Sequence, residues 1–308
     1  MSALPDPNPN PNPNPHSDWT IVSYRRNRNG RNRAGRTSNP FFSMEALTLD
    51  PVPPSPWTPT DPSTSRELEA EVLSKIQFTM HRLETSRFYA RVLDRLQSPK
   101  VQSGVSHALS SASELPMVIY GIGNIATSEI SRIQLAFALL LRDKLPITSM
   151  EIFDPVLSGS ECAVLKSLGL SVLAENEKGR RVVSAPTLFF LPHCDAALYD
   201  NLLSANWEPA RLNRIVLLGN SFAEYAFYLS WVEEKYKSDK PKIVAPYAMA
   251  VRQYVREVAL EERQDDLKRK GDSDEDSALV GALWSTSWHF FDLEDGTVLN
   301  VQHSQIRS

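Results

Sequence analysis

From Met117 onward, short apolar runs alternate with longer stretches in which apolar residues recur every three or four positions. The runs Met117–Tyr120 (MVIY), Ser149–Phe153 (SMEIF), Leu170–Ala174 (LSVLA), Thr187–Leu191 (TLFFL) and Arg214–Leu218 (RIVLL) predict five strands. Between and after them, helical spacing predicts helices from Thr127 or Ser128 to Arg142, Ser158 to Leu168 with Gly169 as its stop, Ala196 to Ala205, and Phe222 to Tyr236. In the first of these, Ile130, Ile133, Phe137, Leu140 and Leu141 fill one face, while Leu135, Ala136, Ala138 and Leu139 fill the other, so it should be deeply buried. Near-continuous apolar strands separated by such helices are the signature of a mostly parallel sheet covered on both faces. Right-handed crossovers then give a doubly wound, Rossmann-like α/β fold.

The flanks extend this picture. Thr64-Ser65-Arg66-Glu67 fits a capping box, and Leu68, Val72, Ile76, Met80 and Leu83, continued by Phe88, Val92 and Leu96, predict one helix over Glu67–Gln97 or two with a break near Ser86. Ser103–Ser113 reads as a small-residue approach to the sheet. Beyond the fifth strand, Ile243–Ala245 reads as a strand, Ala248–Glu261 as a helix, and the charged stretch 261–278 as a solvated loop. Trp284–Leu293 reads as a last strand at an antiparallel edge. The division expected is a disordered Pro/Asn- and Arg-rich arm over 1–63, an N-terminal helical segment over 64–105, the α/β domain over 106–293, and a tail over 294–308.

Composition narrows the classes. With 308 residues the chain can bury a full core, and a net charge of −4 excludes a polycation built to coat nucleic acid. Basic charge is instead local. Arg25, Arg26, Arg28, Arg31, Arg33 and Arg36 are interleaved with Asn and Gly and no acid, a pattern suited to polyanion or import-receptor contact through Arg25–Arg36, or to a solvated tail. It follows the Pro-Asn alternation of Pro7–Pro15, which favours an extended arm, and precedes the proline-rich stretch Pro51–Pro62, which reads as linker. Cys162 and Cys194 make no disulfide framework and suit a reducing compartment. No apolar run approaches the roughly 20 residues of a membrane span, so no membrane contact is expected, and the N-terminus lacks a signal-peptide pattern.

Candidate chemistry sits where this fold places ligands, outside the carboxyl ends of the strands. Gly121-x-Gly123-x-x-Ala126 satisfies a relaxed dinucleotide pattern, which also arises from close helix–strand packing alone. The strand ends supply Asn124, Asp154, Asn176 with Glu177, His193 to Asp195, and Asn220 with Ser221. Together with Gly121 and Gly123, the residues Asn124, Asp154, Asn176, His193, Asn220 and Ser221 form the candidate pocket. The competing reading is that Asn, Asp and Ser are ordinary turn and cap residues. Asp154 stands where an acid grips ribose hydroxyls in dinucleotide and S-adenosylmethionine folds, but beyond the roughly 20-residue separation of the former. Glu129 would repel a phosphate at the following helix N-terminus. Both points disfavour NAD and favour a sulfonium ligand or no cofactor. His193 and Cys194, adjacent on an extended chain, point apart, so no His–Cys nucleophile pair is expected. Gly219-Asn220-Ser221 is not a G-x-S-x-G elbow, and neither cysteine belongs to a C-x-x-C metal pair. Trp207, Tyr225, Tyr228 and Trp231 are expected in core or interface.

Seven blocks occur in order: YGIGN (Tyr120–Asn124), SRIQLAFALLL (Ser131–Leu141), FDPVLS (Phe153–Ser158), ENEKGRR (Glu175–Arg181), PTLFFLPHC (Pro186–Cys194), LYDNLLSANW (Leu198–Trp207) and LLGNSFAEY (Leu217–Tyr225). Across about Ser106–Phe291 the chain resembles the Sensitivity-to-Red-Light-Reduced family, and DWTIV with the basic segment is similar to its plant members. The resemblance implies regulation: phytochrome B signalling, circadian clock input and photoperiodic flowering in plants, with protein partners in light and clock signalling, in nucleus and cytoplasm. For fungal and animal relatives it implies regulation of haem biosynthesis and microtubule-related phenotypes. It supplies no catalytic residue and no cofactor. A methyltransferase-like enzyme holding an adenosyl ligand through Asn124 and Asp154 is the alternative. Ser273 and Ser277, set among acids, are open as phosphorylation sites.

Overall fold

The computed structural model of the chain describes residues 55–226, 245–261 and 274–301. The elements in order are β1 (Ser55–Pro56), α1 (Arg66–Glu84), α2 (Arg87–Leu96), α3 (Pro99–Leu109), β2 (Met117–Tyr120), α4 (Glu129–Leu141), β3 (Met150–Phe153), α5 (Gly159–Ser167), β4 (Ser171–Val172) and β5 (Glu175–Asn176). They continue with β6 (Thr187–Leu191), α6 (Ala196–Ala205), α7 (Pro209–Leu212), β7 (Ile215–Asn220), helical residues 222–226 as α8, α9 (Pro246–Ala250), β8 (Val255–Ala259), α10 (Asp274–Ala282) and β9 (Thr286–Phe291).

Seven strands form one sheet in the order β4-β3-β2-β6-β7-β9-β8. The first five run parallel, and β9 pairs antiparallel with both β7 and β8. The chain therefore has the mostly parallel, doubly wound α/β architecture, with its order reversing between β2 and β6. Helices α1–α5 and α10 cover one face over Met117, Ile119, Leu188, Phe190, Trp288 and Phe290. Helices α6, α8 and α9 cover the other over Val118, Tyr120, Phe189 and Leu217. Both faces are buried, as near-continuous apolar strands require.

Local chemistry sets the boundaries. The break after α1 falls at Thr85-Ser86, where Ser86 caps α2 by accepting from Tyr89 N–H. The cap of α1 is Ser65, one residue later than the sequence pattern suggests, and it accepts from Leu68 N–H. Ser128 caps α4, and Ser158 with Glu161 forms a capping box on α5.

Four expectations are corrected. The small-residue stretch after Ser103 lies largely in α3, which starts at Pro99 and buries Val101, Val105 and Ala108. The Ala248–Glu261 window is a short helix followed by strand β8. Val251, Val255 and Val258 share helical spacing, but pairing with β9 overrides it. As a consequence β9 is not the edge strand, because β8 lies outside it. Residues 274–278 of the charged loop belong to α10, whereas 262–273, including Ser273, lie outside the described residues. So do residues 1–54 of the N-terminal arm with Arg25–Arg36, residues 227–244 with Tyr228, Trp231 and most of the expected Ile243–Ala245 strand, and residues 302–308 of the tail.

Residues 55–63, at the end of the stretch read as linker, lie on the carboxyl rim of the sheet. Ser55 and Pro56 pair with Asn176 and Glu175, Trp57 N–H donates to Ala174 O, and its indole N–H donates to Pro155 O. The Trp57 ring stands edge-on to Phe153 at 5.2 Å. Farther along, Thr60 N–H donates to Leu157 O and Gly159 N–H to Asp61 O. A strap made of the chain itself thus lies along the loops leaving β3 and β4.

Candidate functional site

The glycine turn after β2 is built as the sequence suggests, with Gly121 at φ +71° and Gly123 at φ +77°. Both are left-handed, a region other residues enter only with strain. A Cβ on Gly121 would also lie 2.5 Å from Cys194 Sγ, and one on Gly123 would lie 2.9 Å from Ser131 Oγ. The turn's N–H groups are what a phosphate would meet in a nucleotide fold. Here the chain's own carboxylates take them. Gly123 N–H donates to Asp154 Oδ2 at 2.7 Å, and Ile125 and Ala126 N–H donate to Glu161 Oε1 at 2.7 and 3.0 Å. Asp154 Oδ1 accepts from Val156 N–H, and burial pushes this carboxyl above the usual range against the pull of both N–H donors. Glu161, fully buried, also accepts from the Ser158 backbone and hydroxyl through Oε2.

Asn124 folds back on its own turn, its Oδ1 accepting from Thr127 N–H and hydroxyl. Asn176 stands apart on β5, where its Oδ1 accepts from Lys178 N–H beside the strap. The neighbouring Glu177 joins a different network, taking the Tyr120 hydroxyl and a bidentate contact from Arg181, which also reaches Glu151.

The remaining strand-end residues form a second cluster. Asn220 links β6 to β7: Oδ1 accepts from His193 N–H at 3.0 Å, and Nδ2 donates to Cys194 O and Tyr225 Oη. Tyr199 donates to Leu191 O and accepts from Asn220 N–H. Cys194 Sγ is directed at Tyr120 O, and burial drives its thiol pKa up, so the sulfur stays protonated. His193 leaves the strand at φ +52° and turns its Nε2 to Trp284 O, away from that thiol. Burial pushes the His193 pKa down to about 4, with the Trp284 carbonyl opposing. The structure therefore brings Gly121, Gly123, Asn124 and Asp154 into one turn and His193, Asn220 and Ser221 into another. The two meet where Cys194 packs on Gly121. Their polar groups are engaged by main-chain partners on either side of the switch point.

Open space lies farther along the same rim. A cavity of about 270 Å³ sits over the ends of β7, β9 and β8, walled by Phe88 of α2 and Val280 and Leu283 near α10. Glu224, Glu257 and Glu261 line it, as does Ser221, the one candidate-pocket residue that reaches it. Glu261 pairs with Arg91 at 3.1 Å, and Glu224 accepts the Ser285 hydroxyl. Ser285 is itself left-handed at φ +62° and hands its carbonyl to Ser221 N–H. Glu257 accepts from Ala223 N–H at 3.3 Å and faces His289 Nε2 at 3.7 Å. Burial holds His289 below its ordinary pKa, against the neighbouring Glu257, and so keeps it neutral. The cavity's carboxylates were missed from sequence because Glu257 and Glu261 fall in the window read as helix. The available signal was the run Trp284-Ser285-Thr286-Ser287-Trp288, small hydroxyl residues between two tryptophans at a strand start. Among the described residues no three His, Cys, Asp or Glu side chains converge as a metal set, and no helix is long and apolar enough to cross a membrane.

Comparison with known proteins agrees with the block pattern. The SRR1 domain matches residues 92–290. The chain belongs to the SRR1 family. It is 36% identical over 277 residues to Protein SENSITIVITY TO RED LIGHT REDUCED 1 of Arabidopsis thaliana, covering 89% of this chain and 90% of that one. An SRR1-like protein of Mus musculus is 48% identical over 116 residues, 37% of this chain and 47% of the mouse protein. One from Drosophila melanogaster is 31% identical over 106 residues, 34% of this chain and 38% of the fly protein. The SRR1 match begins at Val92, inside α2, so it includes part of the helical layer that packs on the sheet.

Proposed function

We propose that this protein is a regulator in red-light and circadian signalling, acting on protein partners through its α/β domain, with a small-molecule pocket on the carboxyl rim. The observation that carries the reading is the 36% identity to the Arabidopsis protein named for reduced sensitivity to red light, running over nearly the full length of both chains. Its place in phytochrome signalling, clock input and flowering, and its distribution between nucleus and cytoplasm, belong to the same proposal. Arg25–Arg36 is the segment suited to an import receptor or a polyanion. The test is rescue. In an Arabidopsis line lacking that relative, expression of this chain restores the red-light growth response and the clock period. Failure to restore either, with the protein accumulating to normal levels, overturns the reading.

A second reading, an S-adenosylmethionine-binding enzyme, is favoured by topology. Counting only the large sheet in chain order, its strands run 3-2-1-4-5-7-6 with the seventh antiparallel, which puts a switch point, where such sheets bind ligands, beside the first strand. Asp154 follows the second of these strands. The residues do not fit the ligand as folded, because the Asp154 carboxylate is held by Gly123 and Val156 and the turn's N–H groups are held by Asp154 and Glu161. Calorimetric titration with S-adenosylmethionine separates the readings: binding at about micromolar affinity, roughly −8 kcal/mol, would favour the enzyme.

A further inference from the structure

The strap on the carboxyl rim carries Ser55, Thr58, Thr60 and Ser63, and the fold engages two of these hydroxyls. Thr60 donates to Val156 O and Leu157 O, and Ser63 donates to Asp61 Oδ1. Ser55 and Thr58 are exposed, and their hydroxyls have no hydrogen-bond partner among the described residues. Each precedes a proline, Pro56 and Pro59, which disfavours helical backbone at the hydroxyl residue and keeps it extended. Among the described residues one other hydroxyl residue precedes a proline, Ser98 before Pro99. Ser98 stands at the cap of α3 with its hydroxyl buried.

Thr58 lies between two anchors. Before it, Trp57 N–H donates to Ala174 O at 2.9 Å and its indole N–H to Pro155 O at 3.2 Å, while the ring packs against both core clusters. After it, Thr60 N–H donates to Leu157 O at 3.0 Å, and Asp61 O takes Gly159 N–H. The second anchor is a close fit, since a Cβ on Gly159 would lie 2.7 Å from Pro62 O. Carboxylates surround both anchors. Pro56 faces the exposed Glu175 across the ladder, Asp61 is exposed on the strap itself, and Glu177 follows Glu175 by two residues. The Arg181 guanidinium is taken by Glu177 and Glu151, and the N-terminus of α5 is capped by Ser158 with Glu161 and covered by Asp61 O. A phosphate on Thr58, about −1.5 to −2 in charge at neutral pH, would therefore stand among like charges.

We propose that Thr58 is a phosphorylation site, read with Pro59 by a proline-directed kinase, and that its phosphate loosens the strap from the rim. The γ-phosphoryl group of ATP passes to the Thr58 hydroxyl oxygen, ADP leaves, and the hydroxyl proton goes to the solvent. Repulsion from Glu175 and Asp61 then weakens the two anchors and lets Trp57 lift from Phe153, uncovering that end of β3. The inference goes beyond the light-signalling reading and does not depend on it.

The full chain is incubated with ATP and magnesium and with a mitogen-activated or, separately, a cyclin-dependent protein kinase, and the phosphate is located by mass spectrometry. Incorporation at Thr58 is expected, and both Thr58→Ala and Pro59→Ala abolish it, the second with the hydroxyl still in place. In the phosphorylated chain, amide exchange of the strap segment holding Trp57 and Thr60 should run about 3–5-fold faster than in the unmodified chain, the scale of one exposed charge interaction. The amides of Phe189 and Phe190, in the middle of the sheet, should keep their rates. Salt at about 0.5 M should narrow the difference to under about 2-fold, because repulsion between exposed charges is screened. Absence of phosphate at Thr58 with both kinases overturns the proposal, and so does phosphate at Ser55 alone. Phosphate at Thr58 with strap exchange unchanged or slowed, or with an equal rise at Phe189 and Phe190, overturns it as well.

Discussion

Two stretches of one rim handle polar groups in opposite ways. At the switch point between β2 and β6, Glu161 accepts four hydrogen bonds, Asp154 takes two backbone N–H groups and Asn220 is bonded through both its oxygen and its nitrogen, and the strap from Ser55 to Ser63 lies alongside. At the far end, over β7, β9 and β8, Glu257 accepts one N–H at 3.3 Å and the Thr286 hydroxyl has no partner among the described residues. Both stretches are polar and both lie on one rim of the sheet, the first at carboxyl ends of strands, the second at the carboxyl ends of β7 and β8 and the amino end of β9, where Thr286 stands. The lesson is that polarity at a strand end marks a site only where the group's hydrogen-bonding capacity is left over after the main chain has taken its share.

The largest expected effect breaks the saturated half. Glu161→Ala leaves the N–H groups of Ile125, Ala126 and Ser158 without their carboxylate. Each orphaned buried donor costs about 1–3 kcal/mol, so a loss of about 4 kcal/mol and a Tm lower by about 10 °C are expected by calorimetry. Glu257→Gln, on the open half, should move stability by less than about 1 kcal/mol, since the amide oxygen still accepts the one long N–H contact. Equal losses at the two glutamates would erase the distinction between the regions.

Next comes Gly121→Ala, where a Cβ meets Cys194 Sγ at 2.5 Å and the backbone stands at φ +71°. Steric overlap and left-handed strain together cost about 2–4 kcal/mol. Removing the sulfur separates the two causes, because the next atom a Cβ would meet, Cys194 Cβ, lies at 3.9 Å. In urea titration the Gly121→Ala/Cys194→Ala double variant should recover the overlap portion and keep about 1 kcal/mol of strain, a coupling readable as a double-mutant cycle.

These positions also show how far the sequence is informative. The strands Met117–Tyr120 and Thr187–Leu191 and the helix Ala196–Ala205 fall at their expected bounds, because buried apolar runs and the Asp195 cap are local signals. The glycine turn is legible for the same reason. That Asp154 and Glu161 would engage its N–H groups is not, since those contacts join residues more than thirty apart. Strand β8 is hidden because Val251, Val255 and Val258 satisfy a helical period and only the ladder to β9 decides otherwise. With β8 misread, Glu257 cannot be placed opposite His289, and the cavity is invisible.

A smaller effect separates the regions by pH, at their boundary. His193 titrates near 4 in the fold against about 6.5 unfolded, so between those values the unfolded chain binds more protons. Stability is retained above pH 6.5 and is lost as pH falls toward 4. The full difference is about 3 kcal/mol, trimmed to about 1–2 by part-exposure of the ring. Asp200, raised to about 6 by burial, acts in the opposite sense between its unfolded value and 6, so the readout is a difference between two proteins. His193→Asn keeps a residue tolerant of φ +52° and should flatten the urea midpoint across pH 4–6.5 relative to the unaltered chain. Parallel slopes in the two proteins would remove His193 as the cause.

The smallest expected change also has the most telling sign. Thr286→Val exchanges a hydroxyl for a methyl of the same shape at a position 4% exposed. Where a buried hydroxyl is bonded, that exchange destabilises by about 1 kcal/mol. The Thr286 hydroxyl has no partner among the described residues, so the exchange removes a desolvated group and leaves none of their donors or acceptors stranded. The free protein should therefore keep its stability or gain up to about 1 kcal/mol, a rise of a few °C in Tm. A destabilisation of about 1 kcal/mol or more would mean that the hydroxyl is already bonded in the free chain. The open half of the rim would then be as saturated as the closed one, and the contrast between Glu257 and Glu161 would rest on the carboxylates alone.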